Sequence, residues 1–290
     1  MRNSNVEPGT VTLTKGASKR LFPRDGMSWR VNREMVLLLG GGRALLMQVA
    51  HPKVAAAVAK HSDFTNDPLG RLHRTMNTMW SIVFDEMAEA QASLDRIKNL
   101  HGKVRGVVEQ NEPSFAGSRY DALDPELLLW VHATLVDSSM AAYDCFVKPL
   151  SPVEASRYYE ESKLLARFFE IPESLVPVSL AEFHAYMNAM LAGSQIRVGP
   201  AARSLAKEIL YPPTRLLQPA GPLFRLMTSG LLPPVLREAY AMTWSERRSK
   251  AFELAVRIVR ILLPLVPSPL RVVPQARAAE RRAQENGTLE

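Results

Sequence analysis

The stretch DPELLLWVHATLVD, at residues 124–137, decides most of what this chain can fold into. Asp124 before Pro125 is a helix start, because an aspartate N-cap accepts a backbone N–H and proline suits the first helical turn. The residues that follow are apolar on almost every side, which is typical of a helix buried all round. The pattern predicts a buried helix over residues 125–147 with a single imidazole, His132, in its apolar wall.

A histidine in such a wall has two interpretations. One ring nitrogen of His132 can ligate a metal or haem iron while a hydrogen bond holds the other. Alternatively, the ring is a core histidine bonded to a nearby carbonyl or hydroxyl, as most buried polar groups are. The stretch alone leaves both open. Asp137 lies five residues further on, so we expect it to serve a neighbouring helix and not the His132 ring.

Composition limits the kind of protein. With 290 residues and 47% apolar side chains the chain can bury a large core, and we favour one large domain. The single cysteine, Cys145, excludes a disulfide framework, zinc ribbons, iron–sulfur clusters and CxxCH haem attachment. The first 33 residues lack the continuous apolar core of a signal peptide, so we expect a cytoplasmic protein.

Charge and apolar patterning bear on partners. The basic excess lies at the two chain ends, which argues against a nucleic-acid protein with a basic, aromatic-bearing folded surface. The run LLPLVP at 262–267 follows an arginine-bearing helical segment and is too short to span a bilayer, so we expect at most a weak peripheral contact with anionic membrane. The apolar run LLPP at 231–234 suits a contact between subunits as well as one within a subunit, so the sequence leaves open whether the protein is a homo-oligomer.

Helix signals recur along the chain while alternating strand patterns are nearly missing, so the predicted class is all-α. We expect a flexible arm over 1–25, one helical domain over 26–268 and a polar tail over 269–290. The predicted helices cover 35–49 with an interruption at the three glycines, 52–60, 69–84, 88–107, 125–147, 152–169, 180–192, 203–209, short segments around Phe224 and Val235, and a final helix over 245–263.

The run GGGR at 40–43 is not a phosphate loop, because no strand precedes it and the Lys-Ser/Thr pair is missing. The glycines more plausibly let another helix or a flat cofactor approach the backbone closely. None of the six histidines has a glutamate three residues earlier, which excludes a helical di-iron site. The motifs HExxH and GxSxG are absent too, so the sequence does not support a zinc protease or a serine hydrolase.

Several polar residues remain as candidates. His51 and His61 lie at predicted helix ends, where an imidazole often bonds free backbone groups instead of a ligand. Arg71 and Arg74 are one helical turn apart, with Thr75 beside them. The alternative for the two arginines is a solvated face or a clamp on a nearby aspartate. His101, beside Gly102, suits a surface or capping role equally well.

Four runs carry a resemblance: LLGGGRALLMQVAHP at 38–52, HSDF at 61–64, DPLGR at 67–71 and WVHATL at 130–135. They are similar to the large bacterial and fungal family that groups MpaB-type oxygenases with the latex-clearing rubber oxygenases. The resemblance covers about residues 27–265. It implies an all-helical fold that holds a b-type haem and uses dioxygen to cleave a carbon–carbon double bond in an isoprenoid chain.

In the rubber-oxygenase branch a histidine in mid-helix is the axial ligand, and His132 occupies the similar position. That branch carries an arginine followed by lysine and threonine near the distal side, and Arg71, Arg74 and Thr75 match this spacing with arginine in place of lysine. Arginine stays protonated and would donate to dioxygen or a substrate carboxylate, leaving the sixth iron position open or water-occupied. The rubber-oxygenase branch also has an arginine three residues before the axial histidine, and in this sequence that position is Leu129.

The preferred hypothesis is a cytoplasmic haem-dependent oxygenase with His132 as axial ligand and Arg71, Arg74 and Thr75 acting on dioxygen. The substrate is expected to be small and apolar. The cofactor pocket is expected to include the candidates His51, His61, Gly41 and Arg43. Two alternatives stay open: a helical protein that binds haem, lipid or isoprenoid without turnover, and a non-haem metal enzyme using His51, His61 and His132.

Overall fold

The computed structural model describes residues 20–62, 68–112, 115–211 and 219–285. Over these ranges the protein is all-α, apart from one short antiparallel hairpin of β1 (Arg105–Val107) and β2 (Arg119–Asp121). The helices are α1 Met27–Asn32, η1 (a 3-10 helix) Met35–Gly40, α2 Gly41–Val49, α3 Pro52–His61, α4 Pro68–Phe84, α5 Met87–His101, α6 Pro125–Phe146, α7 Pro152–Phe168, α8 Leu180–Ala192, α9 Pro200–Leu210, α10 Gly221–Leu231, α11 Pro234–Ala239, α12 Glu246–Leu262, η2 (3-10) Leu263–Leu265, α13 Ser268–Arg271 and α14 Pro274–Glu285.

The longest helix is α6, and its start follows the sequence signal. The Asp124 carboxylate accepts a hydrogen bond from the Glu126 N–H at 3.0 Å, and Pro125 occupies the first turn. Side chains on most sides of α6 are buried, as the nearly continuous apolar run predicts. Helix α6 packs against η1, α1, α2, α7 and α12. The position of any side chain on α6 therefore determines which neighbouring helix it faces.

Other predicted starts are confirmed as well. At α7 the Ser151 hydroxyl accepts from the Glu154 N–H while the Glu154 carboxylate accepts from the Ser151 N–H, a complete capping box. At α8 the Ser179 hydroxyl accepts from the Glu182 N–H. These reciprocal bonds satisfy backbone donors that a helix start otherwise leaves free.

One helix prediction is confirmed and one needs correction. The segment 35–49 is interrupted at the glycines as predicted, with a 3-10 helix over Met35–Gly40 followed by α2. A Cβ on Gly40 would lie 2.8 Å from the Cβ of Ala142, so this glycine permits the close approach of α6. The helix predicted over 88–107 ends at His101, and residues 105–107 form β1 instead. Pairing with β2, together with Gly102 at the helix end, outweighs the amphipathic pattern there.

The core consists of two main apolar clusters. The first contains Leu46, Trp130, Tyr159, Phe183 and Leu232, from α2, α6, α7, α8 and the end of α10. The second joins α4 and α5 to both described ends of the chain, and its buried members are Leu21, Phe22, Trp29, Ile82, Val83, Phe84, Leu94, Val272, Val273, Ala276 and Ala279. Among the described residues, no member of α4 belongs to the first cluster and no member of α6 to the second.

The structure describes residues 20–25 of the expected arm and residues 269–285 of the expected tail. Phe22, inside the expected flexible arm, is 1% exposed. The expected polar tail forms α13 and α14, and Val273 and Ala276 are buried against α4 and α5. Short apolar contacts order these segments although their overall composition is polar. Leu232, in the run proposed as a subunit contact, is buried within this chain's own core.

Candidate functional site

His132 lies on the face of α6 that points away from α2. Three residues mark the α2 side of α6: Trp130 donates to the Gln48 carbonyl, and Asp137 and Ser138 accept from Arg43. At 100° per residue, His132 is about half a turn away from all three. Seven residues on, at the two-turn repeat, Ser139 shares the His132 face. This places the imidazole toward the side of α6 where α7 packs.

The imidazole of His132 is half-buried and unpartnered. Among the described residues neither ring nitrogen has a hydrogen-bond partner, and neither is sealed against neighbouring atoms. Desolvation lowers the pKa of His132 from 6.5 to about 4. At neutral pH this side chain is an uncharged imidazole with a free lone pair, which is the form that ligates metals.

The Tyr158 hydroxyl, which the sequence analysis missed, lies beside the same face of α6. The Tyr158 hydroxyl is hydrogen-bonded with Ser139 and accepts from the Asn32 amide at 3.4 Å. Burial raises the pKa of Tyr158, so the phenol keeps its proton. The seven-residue spacing from His132 to Ser139 was the available signal, since it places both on one helix face. Tyr158 and Asn32 come from other helices, and only the fold reveals them.

Arg43 is held in a buried network. Its guanidinium donates to the Leu231 carbonyl at 2.9 Å, to the Ser138 hydroxyl at 2.7 Å and to the Asp137 carboxylate at 2.5 Å. These bonds join α2, α6 and the end of α10. Asp137 thus serves a neighbouring helix, as predicted. The contacts of Arg43 are those of a structural residue, and its expected role in cofactor binding remains a prediction.

The three glycines have different surroundings. A Cβ on Gly42 would lie 2.2 Å from the Thr228 hydroxyl oxygen, so Gly42 permits the close approach of α10. Gly40 likewise permits the close approach of α6. Within the part of the chain that the structure describes, no atom lies within 4 Å of a Cβ placed on Gly41. Of the three, Gly41 alone leaves room beside the backbone for a side chain or a flat ligand.

His51 and His61 have partners of their own. His51 is buried at the N-terminus of α3, where its Nδ1 accepts from the Lys53 N–H at 3.2 Å. This is the capping role described as the alternative above. Desolvation, aided by Lys53, lowers the pKa of His51 to about 4. His61 is exposed at the end of α3 and its Nε2 lies 3.1 Å from the Tyr120 hydroxyl.

The three histidines of the non-haem alternative do not converge. Across the described ranges, which include all three, no group of three His, Cys, Asp or Glu side chains is arranged to hold a metal ion. His51 and His61 lie at opposite ends of α3. The expectation of a metal site built from His51, His61 and His132 is therefore wrong.

The residues expected on the distal side lie on α4, which packs against α1, α5 and α14. Arg74 and Thr75 are exposed, and neither is hydrogen-bonded to the His132 ring. The side chain of Arg71 lies outside the described part of the structure. Leu129, at the position where rubber oxygenases have an arginine, is buried beside Ala166 and Ile171.

His101 is a second unpartnered imidazole. It is half-buried at the end of α5 and stacks on Phe169, with ring centroids 6.2 Å apart. Its Nδ1 is buried and lacks a hydrogen-bond partner, and desolvation lowers its pKa. The aromatic stacking occupies one ring face of His101. Its surroundings are otherwise close enough to those of His132 to make it a matched control.

Together, fold and site define an all-helical protein in which α6, the longest described helix, carries an uncharged, unpartnered and half-buried imidazole. The chain belongs to the family described as ER-bound oxygenase mpaB/B′/rubber oxygenase, catalytic domain, whose sequence profile matches residues 29–261. This span reaches from α1 to the last turn of α12 and includes every candidate residue discussed above.

Two mycobacterial proteins are similar to this chain, one from Mycobacterium bovis (Mb2261) and one from Mycobacterium tuberculosis (Rv2237), both named as uncharacterized. Each is 30% identical to the chain over 150 residues, which is 51% of this chain and 58% of the relative. The match therefore spans little more than half the length of either relative. No solved structure matches the chain. Among the described helices, none combines the length and apolarity needed to cross a bilayer.

Proposed function

We propose that this protein is a haem b-dependent oxygenase in which His132 is the axial ligand. Membership of an oxygenase catalytic-domain family supports the reaction class. The observation that carries the proposal is the His132 imidazole, neutral at physiological pH and without a partner in the wall of a buried helix. Haem b, when bound, supplies the activation of dioxygen.

The residues around His132 fit a haem ligand. A ring whose pKa lies near 4 needs no deprotonation before it binds iron, so the protein contributes a ligand that is ready at neutral pH. Leu128 and Leu135 lie one helical turn before and one helical turn after His132 on the same side of α6, and Leu128 is buried. In haem proteins a hydrogen bond to the second nitrogen commonly fixes the ring. The fixed backbone of α6 would orient the His132 ring here.

Helices α6 and α4 belong to separate apolar clusters among the described residues, and α1 contacts both of them. In this proposal α6 carries the axial ligand, while Arg71, Arg74 and Thr75 on α4 donate hydrogen bonds to dioxygen or to a substrate carboxylate.

The proposed substrate is small and apolar, of the isoprenoid class, and dioxygen is the co-substrate. This follows from the family resemblance and from the apolar wall around His132. We place the reaction in the cytoplasm or at its membrane face. No nucleic-acid partner is proposed.

The test is the absorption spectrum and haem content of the purified protein. Wild type supplied with haem should bind about one haem per chain with a Soret band, and His132→Gly should lose both. Exogenous imidazole should restore the Soret band in His132→Gly, because the free base occupies the position of the deleted ring. His101→Ala is the matched control and should bind haem as wild type does.

Other outcomes would assign a different role. Haem retained in His132→Gly but lost in His101→Ala would move the axial ligand to α5 and overturn the assignment of His132. Haem binding without product from isoprenoid substrates and dioxygen would identify a haem-binding protein. A folded wild type that binds no haem, but co-purifies with lipid or isoprenoid, would identify a carrier.

A further inference from the structure

Helix α12 carries an apolar surface that the fold does not use. Its inward residues Phe252, Val256 and Val259 pack on α6 and α10. The opposite arc holds exposed aliphatic side chains that continue past the helix end. We name these residues the outer stripe, and they are Leu254, Ile258, Ile261, Leu262, Leu265 and Leu270.

The outer stripe has the spacing of a second helix face. Leu254, Ile258 and Ile261 follow one another at intervals of four and three residues, so they lie on one side of α12. Ile261 is 63% exposed and Leu265 is 75% exposed. Single exposed leucines are ordinary, but a contiguous aliphatic stripe on a helix already packed on its other side marks an interaction surface.

Basic side chains flank the outer stripe. Lys250 and Arg257 each precede a stripe residue by one helical turn, four residues before Leu254 and Ile261. Within the described residues, neither Arg247 nor Arg257 forms an ion pair or hydrogen bond. Their charges are therefore available to an anionic partner, and their long stems can lie along the apolar surface while the heads stay in water.

The end of the outer stripe is held in place by an ion pair. Arg271 donates to both oxygens of the Glu34 carboxylate, at 3.0 Å and 3.2 Å. Glu34 also forms an antiparallel bridge with Val272, and the Val273 N–H donates to the Arg33 carbonyl at 2.9 Å. Leu265 and Leu270 are thus exposed on an anchored segment and not on a frayed end.

We propose that the outer stripe and its arginines dock this protein on the surface of a membrane that contains anionic phospholipid. Aliphatic residues at the centre with cations at the edge match an interface whose acyl region is apolar and whose headgroups are negative. A second copy of the chain is the less favoured occupant, because a symmetric contact would bring the unpaired arginines of both copies to one interface. Docking at this face requires neither His132 nor haem.

The experiment is co-flotation of the full chain with vesicles of phosphatidylcholine alone and of phosphatidylcholine with phosphatidylserine. We expect binding to the anionic vesicles that weakens as salt is raised. Arg247→Gln with Arg257→Gln should weaken the affinity about 25-fold, at about fivefold per basic residue. Leu254→Ser with Ile258→Ser and Ile261→Ser should weaken it roughly a hundredfold or more.

Matched controls come from exposed residues on other elements. Val153→Ser with Val178→Ser changes exposed aliphatic residues near α7 and α8, and Lys103→Gln with Arg119→Gln changes exposed cations near the hairpin. Both double variants should bind anionic vesicles as wild type does. Circular dichroism of every variant checks the fold, which these exposed changes should leave intact.

A label gives a second measurement. An environment-sensitive fluorophore on Leu270→Cys, in a Cys145→Ser background, should shift to the blue with anionic vesicles, and the same label on Val153→Cys should not. Wild type that fails to float with anionic vesicles, or floats equally well after the α12 changes, would overturn the proposal. A dimer in solution that the triple serine variant abolishes, without vesicle binding, would assign this face to a second copy. In each of these cases the haem proposal would stand or fall separately.

Discussion

The guanidinium of Arg43 and the carboxylate of Asp137 form an ion pair, with Nη2 2.5 Å from Oδ2, across the contact between α2 and α6. Both side chains are largely buried, and Arg43 is bound to Ser138 and to the Leu231 carbonyl as well. The pair fixes α6 against α2 on one side and leaves His132 on the other. It is therefore the contact that sets the rotation of the candidate ligand helix.

Arg43→Met should lower the free energy of unfolding by about 3 to 5 kcal/mol, because it leaves the Asp137 carboxylate without its partner. Chemical denaturation measures this loss. Arg167→Ala removes an exposed ion pair with Glu173 and should cost about 1 kcal/mol at most. If Arg43→Met is folded with unchanged stability but has lost haem, the residue binds the cofactor and the structural assignment is wrong.

The glycine run offers a second prediction. Gly42→Ala should lower the free energy of unfolding by about 1 to 3 kcal/mol, because the new methyl meets Thr228 and Phe224. Gly41→Ala meets no atom of the described residues within 4 Å and should raise the stability of the haem-free protein by about 0.5 to 1 kcal/mol. Chemical denaturation of both variants and of wild type measures the expected loss of stability in Gly42→Ala and the expected gain in Gly41→Ala. If Gly41 borders the haem, Gly41→Ala should in addition weaken haem binding, which a haem titration measures.

Arg74 tests the proposed distal side. Arg74→Gln should keep the haem content of wild type but reduce turnover on the order of a hundredfold, because it removes a charged donor to dioxygen or substrate. Oxygen consumption with haem-normalised enzyme measures this. His73→Gln changes the preceding exposed residue of the same helix and should retain activity. Equal rates in Arg74→Gln and wild type would remove Arg74 from the reaction.

The buried histidines predict how stability depends on pH. Burial lowers the pKa of His51 and of His132 from 6.5 to about 4. In the unfolded chain both titrate near 6.5, so below that pH the unfolded state binds more protons than the folded state. The free energy of unfolding of the haem-free protein should therefore be highest above pH 6.5 and fall as pH falls toward 4, by up to about 3 kcal/mol for each histidine.

His51→Asn separates one of these contributions. Asparagine can accept the Lys53 N–H in place of Nδ1, so the cap is kept while the titrating group is lost. Denaturation at about pH 7 and about pH 4 should show a smaller loss in His51→Asn than in wild type, by up to about 3 kcal/mol. His184→Asn, an exposed change on α8, serves as control. The same pH dependence in His51→Asn and wild type would refute the assignment.

The local parts of the fold could be predicted because their causes are local. Asp124 and Ser151 cap helices within four residues of themselves, and the apolar run after Pro125 can only be buried. Gly102 and the strand after it depend on pairing with residues 119–121, which amphipathic periodicity does not register. Helix α14 could not be anticipated for a related reason, since its buried residues Ala276 and Ala279 are small contacts in a mostly charged segment.

The site could be predicted only as residue types. His132 stands out because an imidazole in an apolar helix is unusual, and the structure confirms that it lies in a buried helix. The partner of Arg43 lies 94 residues away, so no spacing rule connects the two. Tyr158 and Asn32 reach the His132 face of α6 from other helices for the same reason. The expected contacts among His51, His61 and His132 are not formed: His51 caps α3 through the Lys53 N–H, and His61 lies beside the Tyr120 hydroxyl of β2.

Helix α14 packs on α4, and α4 carries the residues proposed for the distal side. The family profile ends at residue 261, before α13 and α14 begin. A recombinant fragment cut at that boundary would strip the cover from α4 and expose Ile82 and Phe84 to solvent.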